Sequence, residues 1–238
     1  MEIVNLVDKL EWHPTRRWSI RQLSQIKKII IHQELGEGSI ENVNKYHIGP
    51  NHISSKGCPR ICYHYGIRKN GEIAQLNELS SMVWHTKGQN REGIGILVVG
   101  NFAGTGHTAA SSEPTNEQLA SLAFLVDYLK QAFDFSNQEL FGHYHFGKPA
   151  CPGFVISEWI EKQRNELFED QPNLVQIEKT VMEIQKHLHS LGYDTGKIDG
   201  IQGVKTLAAI RKFQADQHLL ADGIVGPNTW KHLLALSS

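Results

Sequence analysis

The chain has 238 residues, of which 40% are hydrophobic and 21% charged, a globular composition with room for one good core and a small second domain. Its 24 basic and 25 acidic side chains nearly cancel, which leaves no electrostatic footprint for gripping a nucleic-acid backbone. No stretch approaches the roughly 20 apolar residues of a membrane span, and the start, MEIVNLVDKLEWHPTRRW, lacks a basic end followed by an apolar run, so neither an anchor nor an export signal is expected.

In chain order, Gln25 to His32 (QIKKIIIH) ends in three isoleucines and a histidine, the pattern of a strand buried on both faces that delivers His32 at its C-terminal edge. Tyr63 to Leu76 holds two strand-like runs around Asn70-Gly71, a pair that favours the positive φ angles of a tight hairpin turn. Ile94 to Val99, bounded by Gly93 and Gly100, reads as a central strand. Thr115 with Gln118 three residues on forms a capping box, and Leu119, Leu122, Ala123, Val126, Leu129 and Phe133 follow at helical spacing. A second helix is expected from about Ile156 to Phe168, and the polar, proline-containing stretch Glu169 to Asn173 then marks a domain boundary. These elements imply an α/β fold, a mixed central sheet flanked by helices.

Beyond the boundary, Asp199-Gly200-Ile-Gln-Gly203-Val-Lys-Thr206 recurs 23 residues later as Asp222-Gly223-Ile-Val-Gly226-Pro-Asn-Thr229. Each copy supplies a glycine-rich turn that starts a short helix, with Pro227 suited to a first helical position. Helices near Val175 to Leu191, Val204 to Gln217 and Pro227 to Leu236 predict a small all-α three-helix domain.

Three cysteines, Cys58, Cys62 and Cys151, are too few and too unevenly placed for a disulfide framework, so at least one is a free thiol or a ligand. Cys58 and Cys62 lack the second pair of a structural zinc site, which leaves a local disulfide or two buried thiols. Gly142 to Gly153 (GHYHFGKPACPG) places His143 and Cys151 in a loop-like segment, and both residue types suit zinc. His32, from the buried strand, is the natural third ligand, which would leave a fourth position open as catalytic zinc sites do.

The ordered set IIIH (29–32), CYHYGIRKNGEI (62–73), WHTKGQN (84–90), IGILVVGNF (94–102) and GHYHFGKPACPG (142–153) resembles the type 2 N-acetylmuramoyl-L-alanine amidases, which share a fold with animal peptidoglycan recognition proteins. The resemblance spans about residues 25 to 165. It implies zinc held by His32, His143 and Cys151, a catalytic role for Tyr63, and His85 in the substrate groove. The family's oxyanion-stabilising lysine stands two residues before the third ligand. Here Pro149 occupies that position and Lys148 comes one residue earlier, so Lys148 takes the role only with a changed spacing. His64 and His145 flank these residues as hydrogen-bond partners or fold residues. Glu34 is a candidate proton donor and equally a strand-end charge. Members of this fold without activity commonly lack the Cys or Asp ligand, whereas Cys151 is present, which favours an enzyme over a receptor. A glycan-cleaving mechanism would need two carboxylates about 5 to 9.5 Å apart, and no paired motif suggests them.

The C-terminal repeat resembles the helical peptidoglycan-binding domain of many wall hydrolases, and glycan binding is implied by that resemblance alone. The reading is thus a zinc amidase catalytic domain at 1–168 and a peptidoglycan-binding domain at 174–238. Together they would cut the bond between N-acetylmuramic acid and L-alanine in bacterial peptidoglycan. Without an export signal, the expected setting is an endolysin, monomeric and cytoplasmic before lysis, that acts on the cell wall once the membrane is breached.

Overall fold

A computed structural model describes residues 1–34, 38–102, 113–165, 180–219, 221 and 223–237. The chain divides into two compact units, one of Met1–Lys130 with Phe135–Glu166 and the other of Leu167–Ser238 with Gln131–Asp134. The boundary expected at 169–173 lies outside the described residues.

The first unit is built on a six-stranded sheet of β1 (Ile3–Asn5), β2 (Lys28–Gln33), β3 (Tyr65–Ile67), β4 (Ile73–Gln75), β5 (Gly93–Val98) and β6 (Leu140–Gly142), in the order β1-β4-β3-β5-β2-β6. Every neighbouring pair is parallel except β3–β4, so the mixed sheet expected from sequence is present. β2 runs between β5 and β6, and Ile29, Ile30 and Ile31 are fully buried, which is why three successive isoleucines are tolerated there. Truncating any one of them to alanine would cost about 2–5 kcal/mol.

The hairpin forms, but its turn differs from the tight one expected. Arg68 N–H donates to Glu72 C=O and Gly71 N–H to Arg68 C=O, leaving a three-residue loop, Lys69 to Gly71. Gly71 alone takes the left-handed conformation, at φ +81°, as in a three-residue hairpin loop ending in a bulge. A Cβ there would also sit 2.9 Å from the Glu117 Cβ, because a helix passes directly over the turn.

That helix is α2 (Asn116–Phe133), following α1 (Ile40–Ile48) and preceding α3 (Phe154–Asn165). The expected capping box is made: Thr115 Oγ1 accepts from Gln118 N–H and Gln118 Oε1 from Thr115 N–H, both at 3.1 Å. The buried face of α2 is Gln118, Ser121, Leu122, Leu125, Val126 and Leu129. Leu119, Ala123 and Phe133 of the expected stripe are only half buried, since polar Gln118 and Ser121 turn inward to bond Val99 C=O and Gly71 C=O. α1, whose Ser39 cap accepts from Asn42 N–H, was not anticipated, nor were the short edge strands β1 and β6. Ile40 and Val43 of α1 join Leu10, Ile61, Leu76, Leu97 and Val99 in one core cluster, and Trp18, Cys58, Cys62 and Val83 form another.

The second unit contains α4 (Val181–Ser190), α5 (Val204–Asp216) and α6 (Pro227–Ser237), the three helices expected, around Ile184, Leu188, Ile210, Phe213, Trp230 and Leu233. The repeat has a structural meaning. Buried Gln185 accepts from the Asp199 and Gly200 N–H groups and donates to Lys197 C=O, Ile201 C=O and Thr206 Oγ1. Buried Gln214 accepts from Gly223 N–H and donates to Ile224 C=O and Thr229 Oγ1. Each glycine turn is thus closed by a glutamine from the preceding helix. Asp222 lies outside the described residues.

Candidate metal centre

β2 and β6 are parallel neighbours, so their C-terminal ends open on the same edge of the sheet. His32 is the fifth residue of β2, and β6 passes at Gly142 into a 3₁₀ turn that begins with His143. The following loop returns Cys151 to the same place, held by Tyr144 N–H to Cys151 C=O and Cys151 N–H to Lys148 C=O, both 2.9 Å. The three ligand atoms of His32, His143 and Cys151 lie within 4.8 Å of one another, with the two Nδ1 atoms 3.1 Å apart. Among the described residues no fourth His, Cys, Asp or Glu joins the group. His145, 3.4 Å from Glu161, is not part of it.

Gln33, which sequence reasoning passed over, braces this arrangement. Its N–H donates to Cys151 Sγ at 3.4 Å, its amide nitrogen donates to Ala150 C=O, and its amide oxygen accepts from Phe102 N–H. A shallow cleft of about 300 Å³ opens beside the loop, lined by Phe102, Tyr144, Pro149, Ala150 and Phe154.

Burial dominates the electrostatics. It pushes His32 well below the usual imidazole range, assisted by His85 and His143, and it brings His143 down to about 4, assisted by Lys148. Both imidazoles are therefore neutral near pH 7 and offer lone pairs. Burial also raises the Cys151 thiol to about 12, against the pull of Gln33 N–H and Lys148. A cation is what would favour the thiolate in this setting. Two neutral imidazoles and a thiol, converging within 4.8 Å, suit a tetrahedral borderline-soft ion.

Tyr63 is partly buried, its ring centroid 5.1 Å from that of His32. Burial first, then Cys151, Cys62 and Glu34, raise its phenol well above its usual value, so it keeps its proton and can donate. Lys148 is exposed on the loop between the ligands, near enough for its charge to act on His143 and Cys151. Glu34 is no plain surface charge: it is half buried, and desolvation raises its carboxyl to about 7.

The resemblance gave His85 a place in the substrate groove; the structure shows its contacts within the protein. His85 is 6% exposed and packs behind His32, its Nδ1 3.0 Å from His32 Nε2, with Thr86 Oγ1 within 3.3 Å of both atoms. Two glycines of β5 account for this. A Cβ at Gly95 would lie 2.6 Å from His85 Cγ and one at Gly93 2.9 Å from His85 Cε1, so their absence makes the slot that takes the ring. His64 is a fold residue: Nδ1 accepts from Gly95 N–H and Nε2 donates to Ser81 C=O. Cys58 and Cys62 are fully buried free thiols. Arg21 and Thr86 were also missed, and an isolated arginine or threonine in a polar stretch carries no sequence signal of such placement.

The fold and site define a class: an α/β protein with a three-donor centre at the C-terminal edge of its parallel strands, followed by a helical unit. Residues 22–154 match the N-acetylmuramoyl-L-alanine amidase family, and residues 178–233 match the family described as "Putative peptidoglycan binding domain". The chain belongs to the N-acetylmuramoyl-L-alanine amidase family, as a type 2 enzyme with a C-terminal peptidoglycan-binding domain. It is 30% identical to the endolysin of Klebsiella phage KP32 over 107 residues, 45% of this chain and 67% of that protein. It is 28% identical to the endolysin of Escherichia phage T7 over 151 residues, 63% of this chain and 95% of that protein. The solved structure of N-acetylmuramoyl-L-alanine amidase LysC from Clostridium intestinale URNW superposes with a TM-score of 0.54 at 24% identity, covering 69% of this chain and 98% of that one, which establishes likeness of fold.

Proposed function

We propose that this amidase is a zinc-dependent endolysin in which His32, His143 and Cys151 hold the ion and Tyr63 and Lys148 serve the reaction. The observation that carries the reading is the convergence of three ligand atoms, from β2, the turn after β6 and the succeeding loop, within 4.8 Å. Zinc bound there would supply a water molecule of lowered pKa and would polarise the scissile carbonyl.

The chain's own residues do the rest. Tyr63, protonated in its partly buried setting beside His32, donates a hydrogen bond where negative charge develops on the carbonyl oxygen. Lys148 adds positive charge from the loop, and its exposure lets its long side chain adjust for the changed spacing. Gln33 holds the Cys151 loop against β2 so that the donors keep their separation.

In this reading residues 1–168 are the catalytic domain and residues 174–238 hold the enzyme on peptidoglycan, as a monomer. The phage endolysin relatives support action on the cell wall; in this reading the protein is held in the cytoplasm until lysis. No described helix is long and apolar enough to cross a membrane. Mass spectrometry of a defined muropeptide tests the proposal, with Cys151→Ala as the comparison. The expected products are a lactyl-bearing sugar and a peptide beginning with L-alanine, absent with the variant; an intact muropeptide with the wild-type protein would overturn it.

A further inference from the structure

A backbone carbonyl can only accept hydrogen bonds. Gly93 C=O lies 3.3 Å from His85 Nε2, and it also receives Arg21 Nη1 at 2.8 Å. His85 Nε2 must therefore carry the proton of its neutral ring, which leaves His85 Nδ1 bare. That bare nitrogen faces His32 Nε2 at 3.0 Å, so His32 Nε2 is the donor, directly or through the Thr86 hydroxyl at 3.3 Å. A neutral His32 protonated at Nε2 has its lone pair on Nδ1, the atom that faces His143 Nδ1.

We propose that His85 is a positioning residue for the metal centre: anchored by Gly93 C=O in the glycine slot of β5, it fixes the tautomer and ring orientation of His32 so that Nδ1 is presented to the ion. The inference rests on the zinc reading and adds to it a chain that runs from the sheet backbone to the ligand. Three independent features build it. The slot at Gly93 and Gly95 leaves room for this ring and no Cβ. Arg21, 3% exposed, spends donors on Leu79, Asn90, Arg91 and Gly93 carbonyls, which pins the segments on either side of the slot. Thr86 Oγ1 touches both ring nitrogens of the His32–His85 contact. His85 touches neither the proposed ion nor substrate, and acts only through His32.

The test uses the full chain. Nitrogen-15 NMR of the metal-free wild-type protein reads the tautomer of His32 directly, and the expected form is protonated at Nε2. Zinc affinity, measured by competition with a chromophoric chelator, is then compared for His85→Asn and His85→Gln, with melting temperatures of the metal-free proteins as the folding control. Asn keeps an acceptor at the position of Nδ1 and should stay within about threefold of wild type, whereas Gln removes it and should lose about 10- to 100-fold, the usual loss for an outer-shell partner. His32 protonated at Nδ1, or equal affinities for the two variants, would overturn the proposal. Wild-type protein that binds no zinc would instead overturn the zinc reading, while the tautomer still decides the hydrogen-bond chain.

Discussion

Replacing Gln185 with leucine should release the wall-binding unit from its fold while sparing the chemistry. Gln185 is fully buried on α4, and its amide oxygen is the acceptor for two successive N–H groups, Asp199 at 3.1 Å and Gly200 at 2.8 Å. Its two amide protons are shared among the Lys197 and Ile201 carbonyls and Thr206 Oγ1. Leucine has similar bulk and no polar atom. Fully buried unsatisfied groups would each cost about 1–3 kcal/mol, but Asp199 is exposed and Gly200 half buried, so water recovers part and about 2–4 kcal/mol is the expected total. A helical unit of this size holds only about 3–5 kcal/mol in all, so most of its stability goes. The assay is co-sedimentation with purified peptidoglycan sacculi at 37 °C beside hydrolysis of a soluble muropeptide. Gln185→Leu should stay in the supernatant, with soluble-substrate turnover near wild type. A variant that sediments like wild type and melts at the same temperature would show that Gln185 does not hold the unit together.

Other consequences are as specific. Tyr63→Phe removes one donor at the developing oxyanion and should lower kcat on a soluble muropeptide by about 100-fold or more, with KM and melting temperature little changed; an unaltered kcat would remove Tyr63 from the chemistry. His47, 4% exposed and accepting from Cys62 N–H through Nδ1, has its pKa lowered by burial to about 4. Because the folded value lies below the unfolded 6.5, its contribution is present above pH 6.5 and is lost as the pH falls through about 4, on the order of 3 kcal/mol at most. Denaturant unfolding at pH 7 and pH 4 should show that loss, reduced in His47→Asn. Gly71→Ala should lower the melting temperature by several degrees, since the left-handed turn and the Glu117 contact both oppose a Cβ.

The parts legible in the sequence were those whose local chemistry is unambiguous. The isoleucine run of β2, the Thr115–Gln118 box and the glycine repeats each admit one local structure, and the strand and helices expected from them are present. His32, His143 and Cys151 could be suggested as ligands from residue type and position and were strengthened by the resemblance, but their meeting depends on β6, a three-residue strand too short to announce itself. Gln33, Arg21 and Thr86 act through contacts that span more than fifty positions, which no local pattern encodes. The Trp-His pair holding His85 was recognisable in sequence, but the seat of its ring against β5 depends on two glycines eight and ten residues on, which no local pattern links to it.

On the zinc proposal, amide cleavage depends on the ion held by His32, His143 and Cys151. The most direct test strips the protein with a chelator, removes the chelator by dialysis, and follows muropeptide cleavage by mass spectrometry as zinc is added back. Turnover should be absent in the stripped protein, rise linearly and saturate at one equivalent of zinc. Stripped protein that cleaves as fast as the reconstituted enzyme would show that the reaction does not need the ion.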